Sequence, residues 1–145
     1  MLSLVPTLLP LLLPPPTRAH GRLMEPPSRT SAWRVGLPTP THYTDHQTNC
    51  GGFARQWARN GGRCGVCGDA WDLPRPRAGE EGGRFATGLL VRRYRRGQAI
   101  TVSADITANH RGYFEFRVCR RESPGTPATQ ACLDRHLLRG DGGSR

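Results

Sequence analysis

Residues 100–107 read I-T-V-S-A-D-I-T, so apolar and polar side chains alternate along the whole stretch. Because successive side chains of a strand point to opposite faces of a sheet, this alternation predicts a β-strand with one buried face. Residues 113–118 alternate in the same way, and a further strand is predicted over residues 85–94, followed by a turn at residues 96–98. Short strands separated by turns are typical of a mostly β fold, here a β-sandwich of the immunoglobulin or fibronectin type.

The chain before these strands shows little periodicity. Residues 20–48 are rich in proline, serine and threonine, which predicts an extended, loop-like segment. Residues 52–60 can form a short helix, because two aromatic side chains stand four residues apart and a glycine pair follows. The many cysteines, glycines and prolines of residues 63–83 predict a long loop, and residues 139–145 are expected to form a disordered tail.

The first 19 residues have the pattern of a secretory signal peptide. A short apolar stretch is followed by prolines and then by Thr17-Arg18-Ala19, whose small residues at the −3 and −1 positions predict cleavage after Ala19. The apolar stretch is too short to span a bilayer, and no later stretch is long enough. We therefore expect a secreted, extracellular protein without membrane association, whose single domain spans residues 20–138.

The chain has a formal net charge of +10, and all 21 of its basic residues are arginine. Such a charge is compatible with a polyanion-binding surface, which predicts retention on heparin that falls with salt. However, the arginines are scattered apart from Arg92-Arg93 and Arg95-Arg96. The use of arginine and never lysine, together with abundant glycine, proline and alanine, is typical of a GC-rich gene. Polyanion binding is therefore a minor hypothesis, and no nucleic-acid partner is expected.

Two histidines are candidates for a metal site. Cleavage after Ala19 would leave His20 with a free α-amine beside its own imidazole, and two nitrogen donors on one residue form a chelate for a transition metal. His110 follows the predicted strand over residues 100–107 and would supply a third nitrogen. Taken alone, an N-terminal histidine carries no function and a loop histidine is usually solvated. Three other histidines lie in segments that look exposed and are assigned no role: His42, His46 and His136.

The five cysteines lie in a chain predicted to be secreted, where disulfides are the default. An odd number leaves one thiol without a partner in this chain, which indicates a free thiol, an intermolecular bridge or a missing segment. Cys64 and Cys67 have the spacing of a zinc knuckle, but no second pair of ligands has a matching spacing. A zinc site is therefore not favoured, and neither is a thioredoxin-like redox motif.

Five separated motifs characterise the chain beyond these single residues. They are H-G-R-L-M-E-P-P-S-R at residues 20–29, C-G-G-F at 50–53, G-G-x-C-G-V-C-G-D at 61–69, A-T-G at 86–88 and T-A-N-H-x-G-Y-F-E-F at 107–116. Together and in this order they resemble lytic polysaccharide monooxygenases. The resemblance is closest to the animal branch, the fifteenth auxiliary-activity family, whose domain is also called chitin-binding type 4. It extends from His20 to about Leu138.

The resemblance implies a copper site called a histidine brace, made of the α-amine and a ring nitrogen of His20 and the ring of His110, with Ala108 beside the axial position. Copper(II) heads the divalent affinity order and favours nitrogen ligands, and an α-amine with a pKa of about 7.7–8.0 loses its proton at little cost. Copper reduced by an external electron donor would then activate oxygen or peroxide and break a crystalline polysaccharide, for which chitin is a more favoured candidate than cellulose. The protein is expected to be a monomer. The alternative is a non-catalytic chitin-binding module or an inactive truncated isoform.

Members of the resembling family continue past the end of this chain through further cysteines and a final strand. That strand supplies an axial aromatic residue, a role that cannot be carried over to Tyr94 or Tyr113. We therefore expect a sandwich that lacks its last strand or strands. The resemblance also offers a disulfide assignment: Cys119 with Cys132, Cys50 with Cys64, and Cys67 without a partner in this chain.

Overall fold

The computed structural model describes residues 20–109, 111–123 and 125–140. Within these residues, two short strands pair antiparallel: β1, His20–Glu25, and β2, Ser103–Ala108. The other regular elements are single turns of helix. They are 3₁₀ turns at Ala32–Val35 and Asp45–Gln47, a π-helical turn at Arg55–Arg59, and the helix α1 at Gln130–Leu133. Few helices and an antiparallel pair agree with the predicted mostly β class.

The register of the two strands brings the start of β1 beside the end of β2. His20 lies opposite Ala108, and Gly21 lies opposite Ile106. Gly21 has no side chain at a point of close approach, since a Cβ atom there would lie 3.0 Å from Cδ1 of Ile106. A larger residue immediately after His20 would therefore require the Ile106 side chain and the β2 backbone to shift slightly.

A buried carboxylate fixes the turn Asp45–Gln47 against β1. The Asp45 side chain is fully buried and accepts hydrogen bonds from Arg22 Nη1 at 3.0 Å and from Arg34 Nε at 2.6 Å. Arg22 also donates to Asp105 on β2 at 2.7 Å. One arginine of β1 thus connects the other strand to this turn, and the buried charge of Asp45 is compensated on two sides.

The apolar core of the described residues is small. Its buried apolar side chains are those of Ala32, Ala70 and Phe85. Several large apolar side chains are exposed instead, including Phe53, Leu90, Tyr113 and Phe114. Two disulfides, Cys50–Cys64 and Cys119–Cys132, link the loops, whereas Cys67 has no disulfide partner. This pairing confirms the disulfide assignment that the family resemblance offered.

Other local predictions have mixed outcomes. The strand predicted at residues 100–107 is confirmed in part, since β2 begins only at Ser103 and the apolar Ile106 is 44% exposed rather than buried. The turn at 96–98 is confirmed by a hydrogen bond from Gln98 N–H to the Arg95 carbonyl. The helix predicted at residues 52–60 is confirmed only as the wide turn Arg55–Arg59, after which Gly61 and Gly62 adopt left-handed conformations.

Three strand assignments differ from the prediction. The sequence predicts a loop-like segment over residues 20–48, but the first six of these residues form β1. The local pattern does not reveal this strand, because it forms by pairing with the distant β2. The predicted strands at 85–94 and 113–118 are absent from the described residues, where the pairing of these two stretches is limited to one bridge, Arg117 with Leu137. Alternation predicts which face of a strand is buried, but backbone hydrogen bonds require a partner.

Two predicted segments fall outside the described part of the chain. The signal peptide at residues 1–19 lies there entirely, and so do residues 141–145 of the predicted tail. No helix among the described residues combines the length and the apolar character that a membrane crossing requires.

Candidate metal centre

His20 and Ala108 meet at one end of the two-stranded sheet. His20 is the first residue of β1 and pairs with Ala108, the last residue of β2. Nε2 of His20 is buried and has no hydrogen-bond partner among the described residues. An imidazole nitrogen in that state has lost its water without gaining a protein partner, which is costly unless another ligand occupies it. The sequence prediction that His20 and Ala108 belong to one site is therefore compatible with the register.

His110 lies outside the described residues, so its side chain is not placed. Its two chain neighbours are described. The backbone N–H of Arg111 donates to Oδ1 of Asn109 at 2.9 Å, a hydrogen bond that spans residue 110. Arg111 has a positive φ of 63°. The chain therefore turns sharply directly after β2, with the polar side chain of Asn109 supporting the turn.

His46 lies against His20, although the sequence analysis assigns it no role. The two imidazole rings meet edge to face, with centroids 5.2 Å apart and planes at 74°. The turn that carries His46 is held by the buried carboxylate of Asp45, which contacts Arg22 of β1. No local motif could have revealed this contact, because it depends on an ion pair between segments 23 residues apart.

The remaining histidines lie elsewhere. His42 packs edge to face on Phe85, with ring centroids 4.7 Å apart, and His136 accepts a backbone hydrogen bond from Val118 through its carbonyl. Within residues 20–109, 111–123 and 125–140 no three His, Cys, Asp or Glu side chains form a group suited to a metal ion. For a nitrogen site at His20, the further donor predicted from the sequence is His110, which lies outside these residues.

A large cleft opens beside His20. Its volume is about 1010 Å³. Alternate residues of β2 form one wall, and exposed aromatic side chains form another. These residues are Ala104, Ile106, Ala108, Tyr113, Phe114 and Phe116. Tyr113 is 80% exposed, so an aromatic face lies open to solvent beside the candidate centre.

The thiol of the half-buried Cys67, which lines the cleft, and the carboxyl of the buried Asp45 differ in their electrostatics. Burial raises the pKa of the Cys67 thiol, although the nearby Arg29 guanidinium opposes this effect. Burial alone would also raise the pKa of Asp45, but hydrogen bonds from Arg34 and Arg22 outweigh it and hold that pKa below its usual value. Asp45 is therefore a structural anion, and Cys67 remains a protonated thiol at neutral pH.

Comparison with known proteins places the chain in a family. Residues 20–141 match the family described as lytic polysaccharide mono-oxygenase, cellulose-degrading. Because the match covers most of the chain, this protein belongs to the lytic polysaccharide monooxygenase family. No curated protein matches the chain.

A solved structure refines this assignment. The lytic polysaccharide monooxygenase AA15 from Thermobia domestica, in its Cu(I) state, is 49% identical and superposes with a TM-score of 0.80. The superposition covers 82% of the present chain and 61% of the Thermobia chain. The predicted resemblance to the fifteenth auxiliary-activity family and the predicted sandwich fold are confirmed. The chain spans less than two thirds of the length of that relative.

Proposed function

We propose that the mature chain is a copper-dependent oxidoreductase that cleaves polysaccharide oxidatively. The observation that carries this proposal is the pairing of His20 with Ala108, two residues before His110 in the chain. The relative of known structure that is 49% identical was solved in a Cu(I) state, which supports copper as the metal.

The residues present fit a copper ion. Of the two ring nitrogens of His20, Nδ1 is the one that can chelate an ion together with the α-amine of the same residue. The buried, unpartnered Nε2 would not be part of that chelate. Removal of residues 1–19 would add an α-amine, and neutral amine and imidazole nitrogens are the donors that copper(II) prefers. His20 and His110 would hold the metal, and Ala108 would occupy the space beside it. When bound, copper would supply the redox chemistry by which oxygen or peroxide, as the oxidant, removes a hydrogen atom next to a glycosidic bond.

The chain itself contributes position and shape. The ion pairs of Arg22 with Asp45 and Asp105 hold β1, β2 and the turn at 45–47 together. They keep His20 beside Ala108 and His46 against the His20 ring. The methyl group of Ala108 offers no donor atom, so Ala108 would lie beside the metal without coordinating it.

The exposed aromatic side chains support a polysaccharide as the substrate. Tyr113 and Phe114 line the cleft next to His20 and are 80% and 63% exposed. Sugar rings pack on aromatic faces, because the axial hydrogens of one match the apolar surface of the other. We propose chitin as the substrate, with cellulose as the less favoured alternative. An external donor would supply the electrons that reduce the metal. The protein would be secreted and monomeric. The two polymers are to be compared directly, since the family description names cellulose.

A non-catalytic chitin-binding module is the second candidate function. It is favoured by the small core and by the apolar residues exposed beside the candidate centre. Such a module would bind chitin with or without copper and would release no oxidised oligosaccharides.

The decisive experiment is electron paramagnetic resonance of the secreted protein loaded with one equivalent of copper(II). A nitrogen-rich, near-axial signal is expected, and His110→Ala should abolish it while His136→Ala, at an exposed histidine, should not. Mass spectrometry of the same sample should show His20 as the first residue. A resonance spectrum typical of loosely bound copper, or a first residue other than His20, would overturn the proposed histidine brace.

Activity is tested separately with chitin and cellulose in the presence of a reductant. Release of oxidised oligosaccharides that requires both copper and His110 supports the enzyme. Pull-down by chitin without any release supports the binding module instead.

A further inference from the structure

One segment of the chain has a strongly one-sided charge. Between Glu81 and Asp105 there is no acidic residue, but there are five arginines. They are Arg84, Arg92, Arg93, Arg95 and Arg96. Such a local excess of positive charge is not explained by the proposed copper chemistry.

The structure gives the middle of this segment a defined shape. The Arg95 carbonyl accepts a hydrogen bond from Gln98 N–H at 3.1 Å, and the Gln98 side-chain carbonyl accepts one from Arg95 N–H at 3.0 Å. Gly97 has a φ of 77°, a conformation that favours glycine. The turn is therefore closed by two hydrogen bonds in opposite directions, and its shape does not depend on its arginine side chains.

The arginines of this segment differ in whether a carboxylate engages them. Arg92 forms a bidentate ion pair with Glu25 of β1, at 2.7 and 2.5 Å, which ties the segment to the sheet. Arg93, Arg95 and Arg96 are exposed and contact no acidic side chain among the described residues. We call these three residues the arginine turn. Elsewhere, arginines such as Arg22, Arg55 and Arg117 are engaged by carboxylates.

We propose that the arginine turn binds the sulfate or carboxylate groups of an acidic polysaccharide. A guanidinium presents a planar fork of donors that matches such groups bidentately. Tyr94, 44% exposed, lies between the arginines in sequence and offers an aromatic surface for a sugar ring. Three guanidiniums within four residues fit a polymer with repeated charges better than a single small anion. The choice of polysaccharide over nucleic acid rests on the proposed function.

The test compares two variants of the secreted protein that lose the same charge. The first carries Arg93→Gln, Arg95→Gln and Arg96→Gln. The matched control carries Arg120→Gln, Arg135→Gln and Arg139→Gln, three exposed arginines outside the ion pairs of the described residues. Binding to a heparin oligosaccharide is titrated at several salt concentrations, alongside uncharged dextran and a single-stranded DNA of equal charge.

The arginine-turn variant should bind heparin roughly tenfold or more weakly and elute at lower salt, with a smaller slope of log affinity against log salt. The control variant should stay within about twofold of the parent. Equal losses in both variants would overturn the proposal, because they would reflect net charge alone. Tighter turn-dependent binding of DNA than of heparin would overturn the assignment to polysaccharide.

Two further measurements separate this proposal from unfolding of the variant and from a failure of the proposed function. If the thermal midpoint of the arginine-turn variant equals that of the parent, unfolding does not explain a loss of binding. If the midpoint changes, the corresponding triple lysine variant should recover part of the binding. The copper signal of the turn variant should equal that of the parent. If the copper signal is absent in both but turn-dependent binding persists, the proposed function fails and the arginine turn stands.

Discussion

The imidazole of His46 lies edge-on against that of His20, with ring centroids 5.2 Å apart. The contact results from the burial of Asp45, which fixes the turn carrying His46 through Arg22 of β1. Since His20 is the proposed first copper ligand, His46 limits the orientations that its ring can adopt. The residue therefore acts on the centre through packing.

This role predicts different effects of two substitutions at residue 46. His46→Phe keeps an aromatic edge against His20 and should leave copper affinity within about threefold, whereas His46→Ala removes it and should weaken copper about tenfold. Isothermal titration with copper(II) measures both. If His46→Phe loses copper as completely as His110→Ala, His46 is a ligand and the packing role is wrong.

Replacing Asp45 should destabilise the fold strongly. Asp45→Ala leaves Arg22 and Arg34 without their buried partner, and breaking a buried pair in this way costs about 3–5 kcal/mol. Urea unfolding measures the loss. Glu115→Gln is the matched control, because its ion pair with Arg117 is exposed and should contribute less than about 1 kcal/mol. Similar losses for the two variants would contradict the structural importance of the buried network.

The sequence predicted the parts of this protein that depend on local pattern. The strand at 100–107, the turn at 96–98 and the loop at 63–83 follow from alternation and from glycine and proline positions. The family motifs also gave the disulfides correctly, which spacing alone does not determine. These features share one property, since each is encoded within a short stretch or within a recognisable motif.

The remaining features depend on contacts between distant residues. β1 forms only because it pairs with a strand about 80 residues later, and His46 reaches His20 only because Asp45 is buried by two arginines. No pattern within residues 20–48 encodes either contact. The prediction of a strand at residues 113–118 is wrong because the local pattern lacks a distant partner. These residues alternate as a strand would, but their pairing is limited to one bridge, Arg117 with Leu137.

Asp72 should contribute to stability in a pH-dependent way. A hydrogen bond from Arg55, together with one from Asn60, lowers the pKa of Asp72 from 3.8 to about 2. Because the folded pKa is depressed, the contribution is fully present above about pH 4 and is lost as the pH falls through about 2. Asp72→Asn should therefore lower stability at pH 7 but not near pH 2. Urea midpoints measured from pH 7 to pH 2 test this. In Arg55→Gln the urea midpoint should fall less steeply as the pH is lowered over the acidic part of that range. A constant difference across the range would contradict the shift.

Cys67 should be a single, slowly reacting thiol. Burial raises its pKa, so little thiolate forms at neutral pH, and thiolate is the reactive species. With iodoacetamide at pH 7.5, the native protein should gain one adduct at least about tenfold more slowly than the denatured, non-reduced chain. Mass spectrometry counts the adducts, and Cys67→Ser should gain none. Two or more adducts on the native protein would mean that a disulfide is open.

Gly68 should be far less tolerant of a side chain than Gly36. Both have left-handed backbones, with φ of 86° and 79°, so alanine strains either position by about 1 kcal/mol. At Gly36 a Cβ atom meets nothing within 4 Å, whereas at Gly68 it would lie 2.4 Å from the Thr48 carbonyl oxygen. The Gly68 carbonyl also accepts a hydrogen bond from Cys50 N–H, so the backbone cannot shift freely. Gly68→Ala should therefore cost about 1–3 kcal/mol more than Gly36→Ala in urea unfolding under non-reducing conditions. Equal costs would show that the loop around Cys50 and Gly68 relaxes, and that its close packing does not fix the backbone.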